Sequence, residues 1–475
     1  MSFLSPRLSR IYLRRCYIAG AACCRAFFIK THYNGSKINL NFQHWFNRDP
    51  PRVALPALKP SILKSVAVVL ACLLLVVIPF RATVGARSAL LLLATLFFLG
   101  DQIRHAGFAA LWPPSRSLRN SRMLIVVAAL WLVLVFAWSL ASDDPRNSLT
   151  TMRRDVLSPI IAFCLFFALT KNRRDLMRWA MCIGAAQLVL TILVVRDPFP
   201  IQISDAAAYR PAYIDVGVLS AWLVVVASLV PALWATPEDG QRRTSVVAVI
   251  FTMLIVVAAI YSRNRFIWPC FAGMISMGML IHMRNLRAQT GKNPGWRKWF
   301  TYVVIVAILA MLTWSAVQFR AGPLTGELPI NHLLHDPRGP LWDLATDMIG
   351  EQPLYGHGYD AATLPHEFST RYSTAVGQPI NPMFDHPHNT LLRYGLQMGV
   401  VGMALILALF GALTITFLRL SKNLAITRMA AICGIALVTG FFLRNMTDDF
   451  FSRQSLTLFA AIAGMLHGVG TPRQH

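Results

Sequence analysis

Charge is scarce in this chain and uneven in sign. Only 14% of its 475 residues are Asp, Glu, Lys or Arg, and 45 basic against 21 acidic residues leave a net charge of +24. Hydrophobic residues make up 55%, so the chain cannot cover a folded domain of this length with polar surface, and a soluble fold is excluded. Lysine is rare, with eight in the whole sequence. The eight cysteines form no C-x-x-C pair and fall in the N-terminal arm or inside apolar runs, which indicates neither a disulfide framework nor a thiolate metal site. Residues 1–61 lack sustained hydrophobicity and a clean signal-peptide pattern, and read as a basic cytoplasmic arm.

Long uncharged runs are present instead. "SVAVVLACLLLVVIPF", "MLIVVAALWLVLVFAW" and "TYVVIVAILAMLTW" are too long and too apolar for core helices and read as bilayer spans. About twelve such runs recur, near 62–80, 83–100, 122–140, 156–170, 175–195, 212–234, 244–261, 266–283, 300–317, 392–417, 425–443 and 454–469. The expected architecture is all-α and polytopic, with nine spans over 62–317, a large outer loop over 318–391, and three spans with a short tail over 392–475. A cytoplasmic N-terminus puts "TKNRRDLMR", "HMRNLRAQTGKNPGWRK" and "LRLSKNLAITR" inside, together with all eight lysines. Both termini are then cytoplasmic. The basic charge is spread over short loops, which favours contact with anionic inner-membrane lipids over nucleic acid.

The 318–391 segment has internal pattern. Leu341, Leu344, Ala345 and Met348 recur at helical spacing behind Pro340, and the helix is expected to end near Gly350, ahead of Pro353. "PLYGHGYDA" then reads as a tight turn, with Gly356 and Gly358 permitting close backbone approach. The other outer polar residues are mainly arginine: Arg210, Arg263, Arg265 and Arg338. They could anchor to lipid phosphates or pair with aspartates. Directed to one cavity, they would form a polyanion site, because guanidinium forks match phosphate oxygens.

"FDHPHNTLLRYGLQMGVVG", residues 384–402, begins as a polar loop and ends as a membrane helix. Asn389 is placed to cap that helix. Gly395, Gly399 and Gly402 fall on one helical face, and the first two form a small-xxx-small pair expected to admit a neighbouring helix. His388, at a helix start whose partial positive charge favours neutral imidazole, suits a general base acting near a phosphate. It could equally cap or anchor the helix. It could also join Asp385 and His386 as a metal ligand, with His357 and His366 if the loop folds back.

These residues resemble the O-antigen ligases and their relatives, the O-antigen polymerases and O-linked oligosaccharyltransferases. The family motif of His-Asn, nine residues, then Gly-x-x-Gly is matched by His388-Asn389, Thr390 to Met398, and Gly399-Val-Val-Gly402. "RNRFIW" resembles the family's Arg-x-x-Trp, placing the family arginine on Arg265, with Trp268 following and Arg263 the alternative. "RGPLWDLATDMIGEQPLYGHGYD" resembles the family's loop segment and assigns Arg338; Arg210 is similar to the arginine before a mid-chain span.

The resemblance implies a GT-C-like glycosyltransferase of a Gram-negative inner membrane, with its active site on the periplasmic face. The donor would be a glycan on undecaprenyl pyrophosphate and the acceptor lipid A–core oligosaccharide. It implies His388 as base, with Arg265, Arg338, Arg210 and Arg263 on the pyrophosphate. Asn389, His386, Trp268, Gly399 and Gly402 would support the site. Neither metal nor cofactor is expected, since the first outer loop, "FRATVG", carries no acid. Asp143–Asp144 and Asp448–Asp449 read as solvated loop ends or arginine partners. The competing readings are a polymerase, a protein O-oligosaccharyltransferase and, from another class, a twelve-span carrier. The carrier should show mid-membrane charges and an internal repeat, neither of which is evident.

Overall fold

Apolar runs bounded by Asn, Asp and Ser caps become helices, and no strand forms among the described residues. The computed structural model describes residues 61–106, 115–197, 213–234, 241–262, 264, 266–290, 338–359, 363–377, 385–421, 425–451 and 453–470. The helices are α1 (Ile62–Val77), α2 (Val84–Ala106), α3 (Ser115–Leu140), α4 (Pro145–Met152), α5 (Ser158–Leu169), α6 (Arg173–Arg196), α7 (Val216–Ala227) and α8 (Val230–Trp234). They continue with α9 (Gln241–Tyr261), α10 (Ile267–Thr290), α11 (Arg338–Glu351), α12 (Thr363–Val376), α13 (Thr390–Leu420), α14 (Ala425–Asn445) and α15 (Arg453–Gly470). The expected N-terminal arm and the ninth expected span, 300–317, lie outside the described residues.

Among the described residues six segments are long and apolar enough to cross a membrane: Arg81–His105, Ser121–Leu140, Arg173–Arg196, Val216–Leu233, Thr390–Leu420 and Thr427–Asn445. Ile62–Val77, Val246–Tyr261, Ile267–His282 and Gln454–Gly470 are shorter apolar helices. The run expected at 156–170 gives only the 12-residue α5, because a π-helical turn at Arg153–Leu157 joins it to the polar α4. Leu92, Val133, Ile192 and Met253 are more than half exposed on the outside of the bundle, where an aqueous fold would place polar groups.

Two packing relationships position the site. At one, α15 lies against α5, and a Cβ at Gly464 or Gly468 would meet the Phe163 or Thr170 carbonyl oxygen at 2.3 and 2.6 Å. Glycine alone lets these backbones approach so closely. At the other, α11 packs on α12 and on the start of α13 through Leu341, Ala345, Met348, Leu364, Phe368, Tyr372 and Leu396. Three of those residues are on the helical stripe expected from sequence.

Helix α13 is broken at Gly399, whose φ of 63° and ψ of −157° are non-helical. The expectation of an unbroken glycine face is therefore corrected. Among the described residues the close neighbour at Gly399 is the Pro353–Gly358 turn and not a second membrane helix. Backbone groups freed by the break are satisfied by that turn: Val400 N–H donates to the Pro353 carbonyl (2.8 Å), His357 N–H to Leu396 (2.7 Å) and Gly358 N–H to Gln397 (3.2 Å). A Cβ on Gly399 would lie 2.4 Å from the Pro353 oxygen, and one on Gly356 2.6 Å from the Gly399 nitrogen. Gly395 faces Ile349 of α11, and Gly402 folds back on the Tyr394 carbonyl. Trp138 of α3 closes the arrangement by donating its indole N–H to the Tyr355 carbonyl at 2.7 Å.

Candidate active site

The short segment Asp385–Asn389 leads into α13. Asn389 caps the helix as its sequence position requires, its side-chain oxygen accepting from the backbone N–H groups of Leu391 (2.9 Å) and Leu392 (3.3 Å). Its amide also donates to the Met446 carbonyl at 3.2 Å, tying the helix start to the α14–α15 connection. Just before the cap, His388 takes a φ of 50°, the one positive φ among described non-glycine residues. A left-handed residue here reverses the chain locally and turns the imidazole toward that same connection.

There it meets Asp448, with His388 Nδ1 2.9 Å from Asp448 Oδ1. A carboxylate accepts, so Nδ1 carries the hydrogen and the neutral ring keeps its lone pair on Nε2. Burial pulls the Asp448 carboxyl upward, but the His388 hydrogen bond and the Arg444 and His388 charges outweigh it and hold the group well below the usual carboxylate range. Arg444 reaches Asp448 Oδ2 at 3.5 Å, Ser220 Oγ at 2.8 Å and Thr447 Oγ1 at 3.0 Å, with its guanidinium 4.4 Å over the Phe450 ring. The Asp448 side chain is thereby fixed from both ends. Of the two readings of Asp448, the arginine partner is the one found, through Arg444, and the bond to His388 is added to it.

A second ionic group lies beneath the first. Arg393, one turn into α13, hydrogen-bonds Asp449 and lies 3.9 Å from Asp155 in the π-helical turn. Thr390 donates between Asn445 (2.9 Å) and Asp449 (3.0 Å). Successive acids in "TDD" thus serve different basic partners, Asp448 on the histidine and Asp449 on Arg393.

Arg338 opens α11, and its guanidinium stands 4.5 Å over the ring of Phe266. It is also close enough to Arg444 for the two charges to repel. One turn along α11, Trp342 donates its indole N–H to the carbonyl of Pro387 at 2.8 Å, immediately before His388. Arg338 is therefore brought to the His388 region, beside the residue that follows Arg265. Arg210, Arg263 and Arg265 lie outside the described residues. Trp268 is buried on α10 and packs edge-on against Phe271.

His386 lies beside His388, ring centroids 4.1 Å apart, and its Nδ1 engages Asp385. Burial raises the Asp385 carboxyl, and the hydrogen bond and charges of the two histidines more than reverse that, leaving it lowered. His357 instead bonds the Met348 carbonyl at 2.8 Å. Among the described residues His386, His388 and Asp448 have ligand-type atoms that all lie within 4.8 Å of one another. The third member of this group is Asp448, and not Asp385, His357 or His366, the candidates of the metal alternative. The residue pattern marks Asp448 only as a loop end or arginine partner, does not link it to His388, and does not single out Arg444. The available signal was "RNMTDD", an arginine four residues before an aspartate at the end of an apolar run.

Residues 240–407, about a third of the chain, match the family model described as O-Antigen ligase, a span that contains Arg263, Arg265, Arg338 and the His388–Gly402 motif. A Rickettsia bellii (strain RML369-C) protein whose name places it among polysaccharide ligases is 29% identical over 69 residues. That match covers 14% of this chain and 17% of the relative's length. Over residues 240–407 the chain is thus similar to the O-antigen ligase family.

Proposed function

We propose that this protein is a membrane glycosyltransferase that moves O-antigen polysaccharide from undecaprenyl pyrophosphate to lipid A–core oligosaccharide on the periplasmic face of a Gram-negative inner membrane. The observation that carries the reading is the pairing of His388, inside the segment that matches the ligase family, with Asp448 beyond it. A base needs a lone pair and a fixed orientation; a carboxylate accepting from Nδ1–H leaves the lone pair on Nε2 and orients the ring.

In the proposed reaction the acceptor hydroxyl attacks the anomeric carbon while Nε2 of His388 takes its proton. The bond from that carbon to the pyrophosphate oxygen breaks, and the electron pair leaves with undecaprenyl pyrophosphate. Direct attack inverts the anomeric centre. Asp448 stabilises the imidazolium formed, as a carboxylate of low proton affinity should. Arg338, with Arg265 and with Arg210 or Arg263 assisting, holds the pyrophosphate and meets the charge it gains. Such preorganised donors are worth about 3–4 kcal/mol each when removed from comparable sites. His386 flanks the base, Asn389 fixes the start of α13, and Gly399 and Gly402 shape the break that seats the Pro353–Gly358 turn. No metal is required by these steps.

The test supplies purified protein with undecaprenyl-pyrophosphate-linked glycan and lipid A–core, in EDTA, and follows lipid A–core to a longer glycolipid. Transfer is expected. A folded protein that instead elongates a second lipid-linked glycan, or glycosylates a periplasmic protein, would replace this reading with polymerase or protein O-oligosaccharyltransferase.

A further inference from the structure

The proposed base has a neighbour that the reaction leaves without a chemical task. His386 is side by side with His388, and Asp448 completes a group of two imidazoles and a carboxylate whose ligand atoms all lie within 4.8 Å of one another. We propose that His386, His388 and Asp448 form a binding site for a borderline divalent transition metal of the zinc class, and that occupancy switches off His388 as a base. The first half stands on geometry alone; the second rests on the function proposed above.

The donor set suits zinc. Two imidazole nitrogens and one carboxylate oxygen, with a position left for water, are an ordinary zinc environment. Tetrahedral ligands about 2.1 Å from zinc stand roughly 3.4 Å apart. Starting from 4.8 Å, side-chain rotation can close the group, and His388 Nδ1 and Asp448 Oδ1 are already at 2.9 Å. Of the other groups facing the site, the Arg444 charge opposes a cation, while the contacts around the ligands orient them. Asp385 is bonded to Nδ1 of His386, which leaves Nε2 as that ring's ligand atom and supplies the outer carboxylate typical of metal-bound histidine. Arg444 sits on Asp448 Oδ2, so Oδ1 is the oxygen that turns to the cluster. Side-chain exposures of 34% for His386 and 20% each for His388 and Asp448 leave a route for an ion from solvent.

The consequence for His388 follows from counting protons. Neutral imidazole has one N–H and one lone pair. A metal on Nε2 occupies the lone pair that the acceptor hydroxyl needs. A metal on Nδ1 displaces the proton shared with Asp448, and the remaining ring proton must sit on Nε2, which then donates and cannot accept. Either mode removes the base without any change of fold.

The experiment uses full-length protein in detergent, stripped with EDTA and desalted. Cobalt(II) is added while the visible d–d bands are recorded, and zinc is titrated by calorimetry. Tetrahedral cobalt bands and one zinc per chain are expected. His386→Ala should abolish the bands, and Asp385→Asn, which leaves all three ligands in place, should weaken zinc at least about 10-fold. Absence of the bands, or zinc binding unchanged in both variants, would overturn the site. Transfer is then measured in parallel with rising zinc, each protein against its own metal-free rate. Loss of transfer over the range that fills the site, restored by EDTA, is the expected result. Full transfer at saturating zinc would overturn the switch while leaving the metal site, and a protein that binds cobalt as described but never transfers glycan would count against the proposed function alone.

Discussion

His388 and Asp448 are joined by a 2.9 Å hydrogen bond across sixty residues of sequence, linking the start of α13 to the connection between α14 and α15. Each is held by separate means: His388 by the Asn389 cap and the Trp342 bond to Pro387, Asp448 by Arg444. A pair fixed from both sides loses little by reorganisation when a proton arrives, which is what a base beside a developing charge requires.

Asp448→Asn keeps a group of the same shape but removes the charge opposite the imidazolium. In EDTA, kcat should fall by about 10²-fold or more, within the range for losing acid–base assistance, with KM for the lipid-linked donor nearly unchanged. Steady-state transfer assays at several donor concentrations make the separation. A change confined to KM would instead place Asp448 in donor binding.

Glycine substitutions should divide sharply by position. Gly399→Ala and Gly356→Ala force a side chain onto a left-handed residue and into backbone 2.4–2.6 Å away. Both should lower thermal stability in detergent by several degrees or prevent folding. Gly411→Ala, in the same helix with nothing within 4 Å, should be neutral or stabilise by about 0.5–1 kcal/mol. Equal melting temperatures for all three would contradict the clamp between the Pro353–Gly358 turn and α13.

Arg393 and Asp449 are expected to behave as one unit. Asp449 is nearly fully buried, so Arg393→Met strands a carboxylate and should cost about 3–5 kcal/mol. Adding Asp449→Leu removes the stranded charge and should recover most of that loss. A double-mutant cycle on thermal unfolding reads the coupling, and additive losses would show that the two side chains act independently.

What the sequence made legible here was local. Asn389 as a cap, the Leu341–Ala345–Met348 stripe of α11 and the apolar character of the runs each depend on residues within a few turns, and each is found as read. The pairing of His388 with Asp448 depends on how three helices pack, which no short pattern encodes. Gly399 shows the same limit differently. Gly-x-x-Gly at helical spacing fits an unbroken packed face, and only the incoming Pro353–Gly358 backbone reveals that the glycine serves a left-handed break. The segment before α13 was likewise readable as patterned, while the meeting of Arg338 with Phe266 was not.

The most direct measurement is single-turnover transfer by His388→Ala in EDTA, with protein shown to be folded by its unchanged elution and melting temperature. The rate should fall at least about 10²-fold, and added imidazole should restore part of it by supplying the missing base. Transfer at the wild-type rate would contradict the central claim, reducing His388 to an ordered neighbour of Asp448 and moving the search for the base to another group in the site.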